Sequence, residues 1–229
     1  MDMKKLVLSL VTLAALGAMA QSMAASADSQ EKDLSYALGY QAGSMVHFAQ
    51  AKLDLDVYNK GLQTGLKGEA STLSGAQIQQ ILTSFQMQLQ QKGQQMMQTQ
   101  AASNAQASEK FLEANKNNKD VVTLKDGLQY KILEAGNGVK PTLKDTVTVD
   151  YEGSLVNGKV FDSSYKRGTP ATFPVNGVIP GWTEALQLMP VGSTWELYIP
   201  ANLAYGAHGV PGIGPNQALI FKVNLIKIK

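Results

Sequence analysis

The hydrophobic periodicity of this chain changes once, at Asp126-Gly127, from a helical repeat to a two-residue alternation. A single switch divides the chain into a helical half and a strand half, and that argues for two domains rather than one. Beyond it Leu128, Tyr130 and Ile132 alternate, then Val147, Val149 and Tyr151, then Trp195, Leu197 and Ile199. Leu219, Phe221, Val223 and Leu225 give the last strand its inward face, and Asn157-Gly158 has the composition of a tight hairpin turn. Between the strands, Pro180 to Val191 reads as a brief helix bounded by Pro180 and Gly192, with Trp182, Ala185, Leu186 and Met189 on one face. An antiparallel sheet wrapped around one short helix is the α+β domain these signals predict.

Before the switch, Leu34, Ala37, Leu38, Met45 and Phe48 recur at helical spacing, and Gly39 and Gly43 lie on a neighbouring stripe where a second backbone can come close. Asp54 or Asp56 can cap a second helix through Val57, Leu62 and Leu66, ending near Gly68. Ser74 opens a third, with Ile78, Ile81, Leu82, Phe85 and Leu89 on one face. That face thins to Met96 and Met97 and then gives way to Ala, Gln and Ser, so the helix outruns its own core. Residues 86–118 fit two readings, a low-complexity linker or a long solvated helix. The helix is favoured because only Gly93 interrupts helix formers up to Ala102 and no proline occurs between Gly75 and Lys140. Asn115 to Asp120 makes a polar break.

Charge and cysteine usage narrow the classes. Met1 to Lys125 carries 11 basic and 10 acidic side chains, and Asp126 to Lys229 carries 9 and 8, so neither half attracts a phosphate backbone and no nucleic-acid partner is expected. With no cysteine at all, disulfides, zinc-thiolate sites, thiol catalysis and a cysteine-linked lipid anchor are excluded. Lys4 and Lys5, the apolar run Leu6 to Leu16 and the small residues Ala18-Met19-Ala20 read as an export signal, the alternative being a retained N-terminal anchor. An exported chain without disulfides fits a bacterial envelope.

Two local motifs carry no chemistry. Gly153 to Lys159 has the spacing of a phosphate loop, but Val160 stands where Ser or Thr must reach magnesium, and the glycines belong to a hairpin. His47 and His208 are the only histidines, and no spacing joins either to a nucleophile and an acid. No metal and no cofactor is expected. From the residues alone, Asp162 after Phe161 reads as a solvated turn acid and Trp182 as core.

Phe161-Asp162-Ser163-Ser164, Val178-Ile179-Pro180-Gly181-Trp182, Leu203-Ala204-Tyr205-Gly206 and Ala218-Leu219-Ile220-Phe221 resemble the FKBP-type peptidyl-prolyl cis/trans isomerases, over about Gly127 to Lys229. With the helical half added, the chain resembles the macrophage infectivity potentiator subgroup. The resemblance implies an FKBP-like domain over residues 119–229, a connecting helix over 74–118 and a helical dimerisation domain over 21–73, following the signal peptide read above over 1–20. It implies that Asp162 and Tyr205 are the catalytic residues, and that Tyr151, Phe161, Val178, Ile179, Trp182 and Phe221 line the substrate pocket. Ile213 would sit on an overhanging loop, and Arg167 would pair with the pocket acid and tyrosine. Two positions depart from the small members of the family: Ala171 stands where an aromatic often sits, and Val210 replaces a loop histidine.

The implied activity is rapamycin-sensitive isomerisation of X-Pro bonds in exported or surface proteins, by a homodimer joined through its N-terminal helices. Proline-containing polypeptides and rapamycin-type macrolides are the implied partners, with a role in virulence and a host-matrix protein such as collagen as further candidates. The implied location is the periplasm or outer-membrane surface of a Gram-negative bacterium. Two rival readings keep the same architecture, a dimeric holding chaperone and a matrix-binding adhesion factor, each with only weak isomerase activity. An intact Tyr205 and Asp162 favour catalysis, since a pure holdase needs neither.

Overall fold

The computed structural model describes residues 28–229, and the export signal read at Lys4 to Ala20 lies outside them. The chain divides into two compact units, Met1–Gly93 and Gln94–Lys229.

The described part of the first unit, residues 28–93, is helical. Helix α1 covers 28–49, α2 runs Leu55–Leu66, and α3 opens at Gly75. Asp54 caps α2, its carboxylate accepting from the N–H groups of Asp56 and Val57. Ser74 and Gln77 form a reciprocal capping box on α3. The Gln77 N–H donates to the Ser74 hydroxyl at 3.3 Å, and the Ser74 N–H donates to Gln77 Oε1 at 2.9 Å. No residue from 28 to 93 is buried, and large apolar side chains stand in solvent, Leu38 at 59% and Leu66 at 79% of full exposure. Around Gly39 and Gly43 there is open space within 4 Å of where a Cβ would project.

The second unit holds the core. Its strands β1 (Val121–Thr123), β2 (Gln129–Glu134), β3 (Thr146–Leu155), β4 (Val160–Ser163), β5 (Ala171–Pro174), β6 (Thr194–Ile199) and β7 (Leu219–Ile228) pair antiparallel in the order β1-β2-β6-β7-β3-β4. The free side of β3 is shared: β4 pairs with residues 152–154 and β5 with 146–149. Between these two strands the chain leaves the sheet through the single-turn helix α4 (Ser164–Arg167). The arginine discussed below lies in that gap, and the acid is on β4 at its edge.

Inward positions of β3, β6 and β7 pack with Trp182, Ala185 and Leu186 of α5 (Pro180–Leu188) into one apolar cluster. Pro180 occupies the first turn of α5, where a missing N–H leaves no bond unmade. Gly181 is required by contact, since a Cβ there would lie 2.5 Å from Ile199 Cγ2. On the opposite face, register places Lys131, Glu196, Lys222 and Glu152 side by side across β2, β6, β7 and β3, an alternation of sign that suits a solvated surface. Ile132, by contrast, is 47% exposed although the alternation placed it inward; it is the last β2 residue before the register shift.

Helix α3 is continuous from Gly75 to Asn115 and contains Gly93 without a break. Its residues from Gln94 onward, about six turns, belong to the second unit, and its end is tied to the sheet. Phe111 packs on Tyr198 with ring centroids 5.9 Å apart, Asn115 Nδ2 donates to Gln129 Oε1 at 2.9 Å, and Gln129 Nε2 donates to the Leu112 carbonyl at 2.9 Å. No described helix is long and apolar enough to cross a membrane.

Candidate functional site

The largest aromatic concentration in the sheet domain encloses a cavity of about 410 Å³. Trp182, on the inward face of α5, lies beneath it and is 4% exposed. Three rings meet Trp182 edge to face: Phe221 from β7 at 5.2 Å, Tyr151 from β3 at 5.3 Å and Phe173 from β5 at 6.0 Å. Phe161 of β4 closes the wall against Phe221 at 5.6 Å and 87°. Val178 and Ile179, leading into α5, and Tyr205, after β6, complete the rim. In this edge-to-face packing each ring is braced by its neighbours.

Asp162 is the one charged side chain on the cavity wall among the described residues. It accepts a hydrogen bond from the Tyr151 hydroxyl and forms an ion pair with Arg167. Arg167 Nη2 also donates to the Tyr151 hydroxyl at 2.9 Å, closing a triangle, and its guanidinium carbon stands 5.5 Å from the Tyr151 ring centre. Local structure builds this triangle. The Ser163 hydroxyl accepts from the Lys166 N–H and starts α4, and Gly168 ends it in the left-handed region at φ 71°, which turns Arg167 back toward β4. Beside it the fully buried Ser164 donates to Asp150 at 2.8 Å and accepts from the Tyr151 N–H at 2.9 Å, locking β3 to α4.

Burial pulls the Asp162 carboxyl upward, but hydrogen bonds from Tyr151 and Arg167 and the arginine's charge outweigh it and hold the group below the usual carboxylate range. Burial, then the bond to Asp162, push the Tyr151 phenol up. The site therefore presents a fixed negative charge and a neutral phenol at neutral pH. Among the described residues no three His, Cys, Asp or Glu side chains come together for a metal.

Of the residues singled out in the sequence, Tyr151, Phe161, Asp162, Val178, Ile179, Trp182, Tyr205 and Phe221 come together on this cavity. Arg167 stands behind the wall, acting on Asp162 and Tyr151. Ile213 is on the loop before β7 but is buried in the core cluster rather than on the cavity surface. Sequence reasoning missed Phe173, whose signal is the alternation of Ala171 and Phe173 ahead of Pro174. Ala171 packs beside it against the core, so an aromatic side chain does reach this wall, two residues further along.

The pattern of the family described as FKBP-type peptidyl-prolyl cis-trans isomerase matches residues 137–226, and that of the domain amino terminal to FKBP-type peptidyl-prolyl isomerase matches residues 31–132. The chain is similar to the Outer membrane protein MIP of Legionella longbeachae, with 46% identity over 230 residues covering 100% of this chain and 99% of that one. It is likewise 47% identical over 228 residues to the peptidyl-prolyl cis-trans isomerase Mip of Coxiella burnetii, covering 99% of each. Among solved structures it resembles FkpA from Escherichia coli, with a TM-score of 0.72 at 40% identity over 86% of this chain and 95% of that one.

Proposed function

The chain belongs to the FKBP-type peptidyl-prolyl cis-trans isomerases and is an isomerase of that type, and from this premise we propose that it turns X-Pro bonds in the Asp162–Trp182–Tyr205 cavity and works as a homodimer. Rotation about an X-Pro bond faces a barrier of roughly 20 kcal/mol, because amide resonance is lost at the twisted transition state. No bond forms or breaks. The enzyme has only to bind the twisted amide better than either planar form. The observation that supports this most is the ring cage itself, Tyr151, Phe161, Phe173, Trp182 and Phe221 around a cavity with a single charge. Such a cage takes up the proline ring and strips water from the amide, a loss that the less polar twisted carbonyl tolerates better than the planar one.

In this reading the Tyr205 hydroxyl and the Ile179 N–H hold substrate carbonyls. Asp162, kept ionised by Arg167 and Tyr151, supplies a fixed field at the carbonyl carbon and transfers no proton. Rapamycin-type macrolides compete for the same cavity.

The dimer rests on the first unit, whose described residues 28–93 include none that is buried in one copy while apolar faces on their helices stand exposed. A helical unit of this size needs a second copy to cover those faces, and α1 with Gly39 and Gly43 is the surface assigned to it. The export signal read at Lys4 to Ala20, together with the relative named an outer membrane protein, supports placement in a bacterial envelope. Collagen binding and a role in virulence have no feature of the described residues to support them.

A protease-free isomerisation assay on a proline tetrapeptide tests the site. Asp162→Ala and Tyr205→Phe should each lower kcat/KM by roughly five- to a hundredfold, the range for a lost hydrogen bond to a reacting group, with circular dichroism unchanged. Wild-type turnover in both variants sinks the assignment.

A further inference from the structure

The loop of residues 206–218 hangs between Tyr205 and β7, and one face of α3 holds it by side chains that the sequence presents as solvated polar filler. Asn104 Nδ2 donates to the Pro215 carbonyl at 2.8 Å. The Ser108 hydroxyl donates to the Asn216 carbonyl at 3.0 Å and accepts from the Ala218 N–H at 2.8 Å. Asn216 Nδ2 reaches back to the Ala101 carbonyl at 3.2 Å, while its own N–H donates to the Gly206 carbonyl at 2.9 Å. Ala101, Asn104 and Ser108 are three and four residues apart, so they share one helix face. Gly214 lets this face approach closely, since a Cβ there would lie 3.0 Å from Asn104 Nδ2.

Buried chemistry marks this contact as specific. Ser108 is 6% exposed, and Ala218, whose N–H it satisfies, is fully buried. Asn216 sits at φ 54°, in the left-handed region, and is the junction through which the helix reaches Gly206. Gly206 directly follows Tyr205, and its N–H is fastened to the Ala201 carbonyl at 2.8 Å. Tyr205 itself is 37% exposed on the cavity rim, with no hydrogen bond from its hydroxyl among the described residues. Its backbone, by contrast, is tied, the Tyr205 carbonyl accepting from the Gly209 N–H at 3.3 Å.

The geometry points to Asn104, Ser108 and Asn216 as positioning residues of the isomerase: α3 pins the 206–218 loop, and the pinned loop sets Tyr205 over the cavity. This rests on the reading of Tyr205 as a substrate-binding group. The long helix is then part of the site and not only a spacer.

The test uses the full-length chain carrying Ser108→Ala, Asn104→Ala or Asn216→Gly, each alone and on a Tyr205→Phe background. Ser108→Ala should lower kcat/KM on a proline tetrapeptide by about fivefold, as one lost hydrogen bond implies. On the Tyr205→Phe background the same change should cost less than about twofold, because residues acting through one group are not additive. Hydrogen exchange should quicken across residues 206–218 while the amides of β3 and β7 keep their protection. Equal losses on both backgrounds, or unchanged turnover in Ser108→Ala and Asn104→Ala while Tyr205→Phe is impaired, overturn the proposal. Asn104 is only half-buried, so its variant carries the test should Ser108→Ala fail to fold. Wild-type turnover in Tyr205→Phe alone removes Tyr205 from the site, a failure of the underlying reading that the single variant identifies.

Discussion

Asp162 and Glu184 are both carboxylates of the sheet domain, and their surroundings drive them in opposite directions. Asp162 is depressed, so its contribution to stability is present above the unfolded carboxylate pKa of about 3.9 and is lost as pH falls through the lower folded value. Its side chain is 41% exposed, and solvent screening keeps that contribution small. Its value is to keep one charge constant across the working range. Glu184, on α5, behaves otherwise: a hydrogen bond to Asp126, then burial, then the neighbouring charge push it up to about 7, while Asp126 is lowered. The folded chain therefore holds more protons than the unfolded one between the ordinary glutamate pKa, about 4.3, and about 7. Stability from the raised Glu184 is full below that window and lost as pH rises through it. Glu184→Gln should accordingly gain on the wild type as pH rises from 4 to 8, by a degree or two in Tm. Parallel pH profiles for the two proteins in thermal unfolding would show that the pair shares no proton.

At the scale of elements, the pocket wall is set by a glycine. Gly153 lies in β3 opposite the rings of Phe221 and Phe161, and a Cβ there would meet them at 2.5 and 2.8 Å. Gly153→Ala should therefore cost about 1–3 kcal/mol by overpacking and weaken rapamycin-type binding, read by thermal unfolding and Trp182 fluorescence. Unchanged affinity would mean that the rings have room to move. The same residue opens the segment that imitates a phosphate loop, and its real service is to let two aromatic walls close. Gly158, at the other end of that segment, takes φ 84° in the β3–β4 turn and has no packing role.

For the whole molecule, the two units differ in what completes them. Gln94–Lys229 has its own core, whereas residues 28–93 bury none of their side chains in a single copy. Leu34→Lys with Leu38→Lys should give a monomer by light scattering, because charges on α1 would have to be desolvated in the dimer. Turnover on a tetrapeptide should stay near wild type, while refolding of a large proline-limited protein should fall, since it loses a second pocket at high local concentration. A dimer that persists in this variant moves the interface away from α1. A fragment beginning at Gln94 should keep peptide turnover, and one beginning at Asn115 should lose part of it, having given up Asn104 and Ser108. Equal turnover in both fragments would relieve the end of α3 of any part in the site.

What the sequence by itself determined is the pattern of periods: helices up to the polar break at Asn115 to Asp120, alternating strands after Asp126, the Asn157-Gly158 turn and the inward face of α5, whereas β1, only three residues long, shows no alternation and was missed on the near side of the switch. Each of these is a local property, read from which side chains repeat at 3.6 or 2 residues and which backbone angles glycine and proline allow. The resemblance then supplied the cavity residues. It also supplied the pairing of Arg167 with Asp162 and Tyr151, whereas only the tertiary structure decided the place of Phe173 and the division of α3 at Gly93 rather than at its end. A docking face made of Asn104, Ser108 and Asn115 has no hydrophobic signature, because hydrogen bonds rather than apolar area hold it. In one dimension such a face is identical to a solvated one, and only the partner atoms from a distant segment tell the two apart.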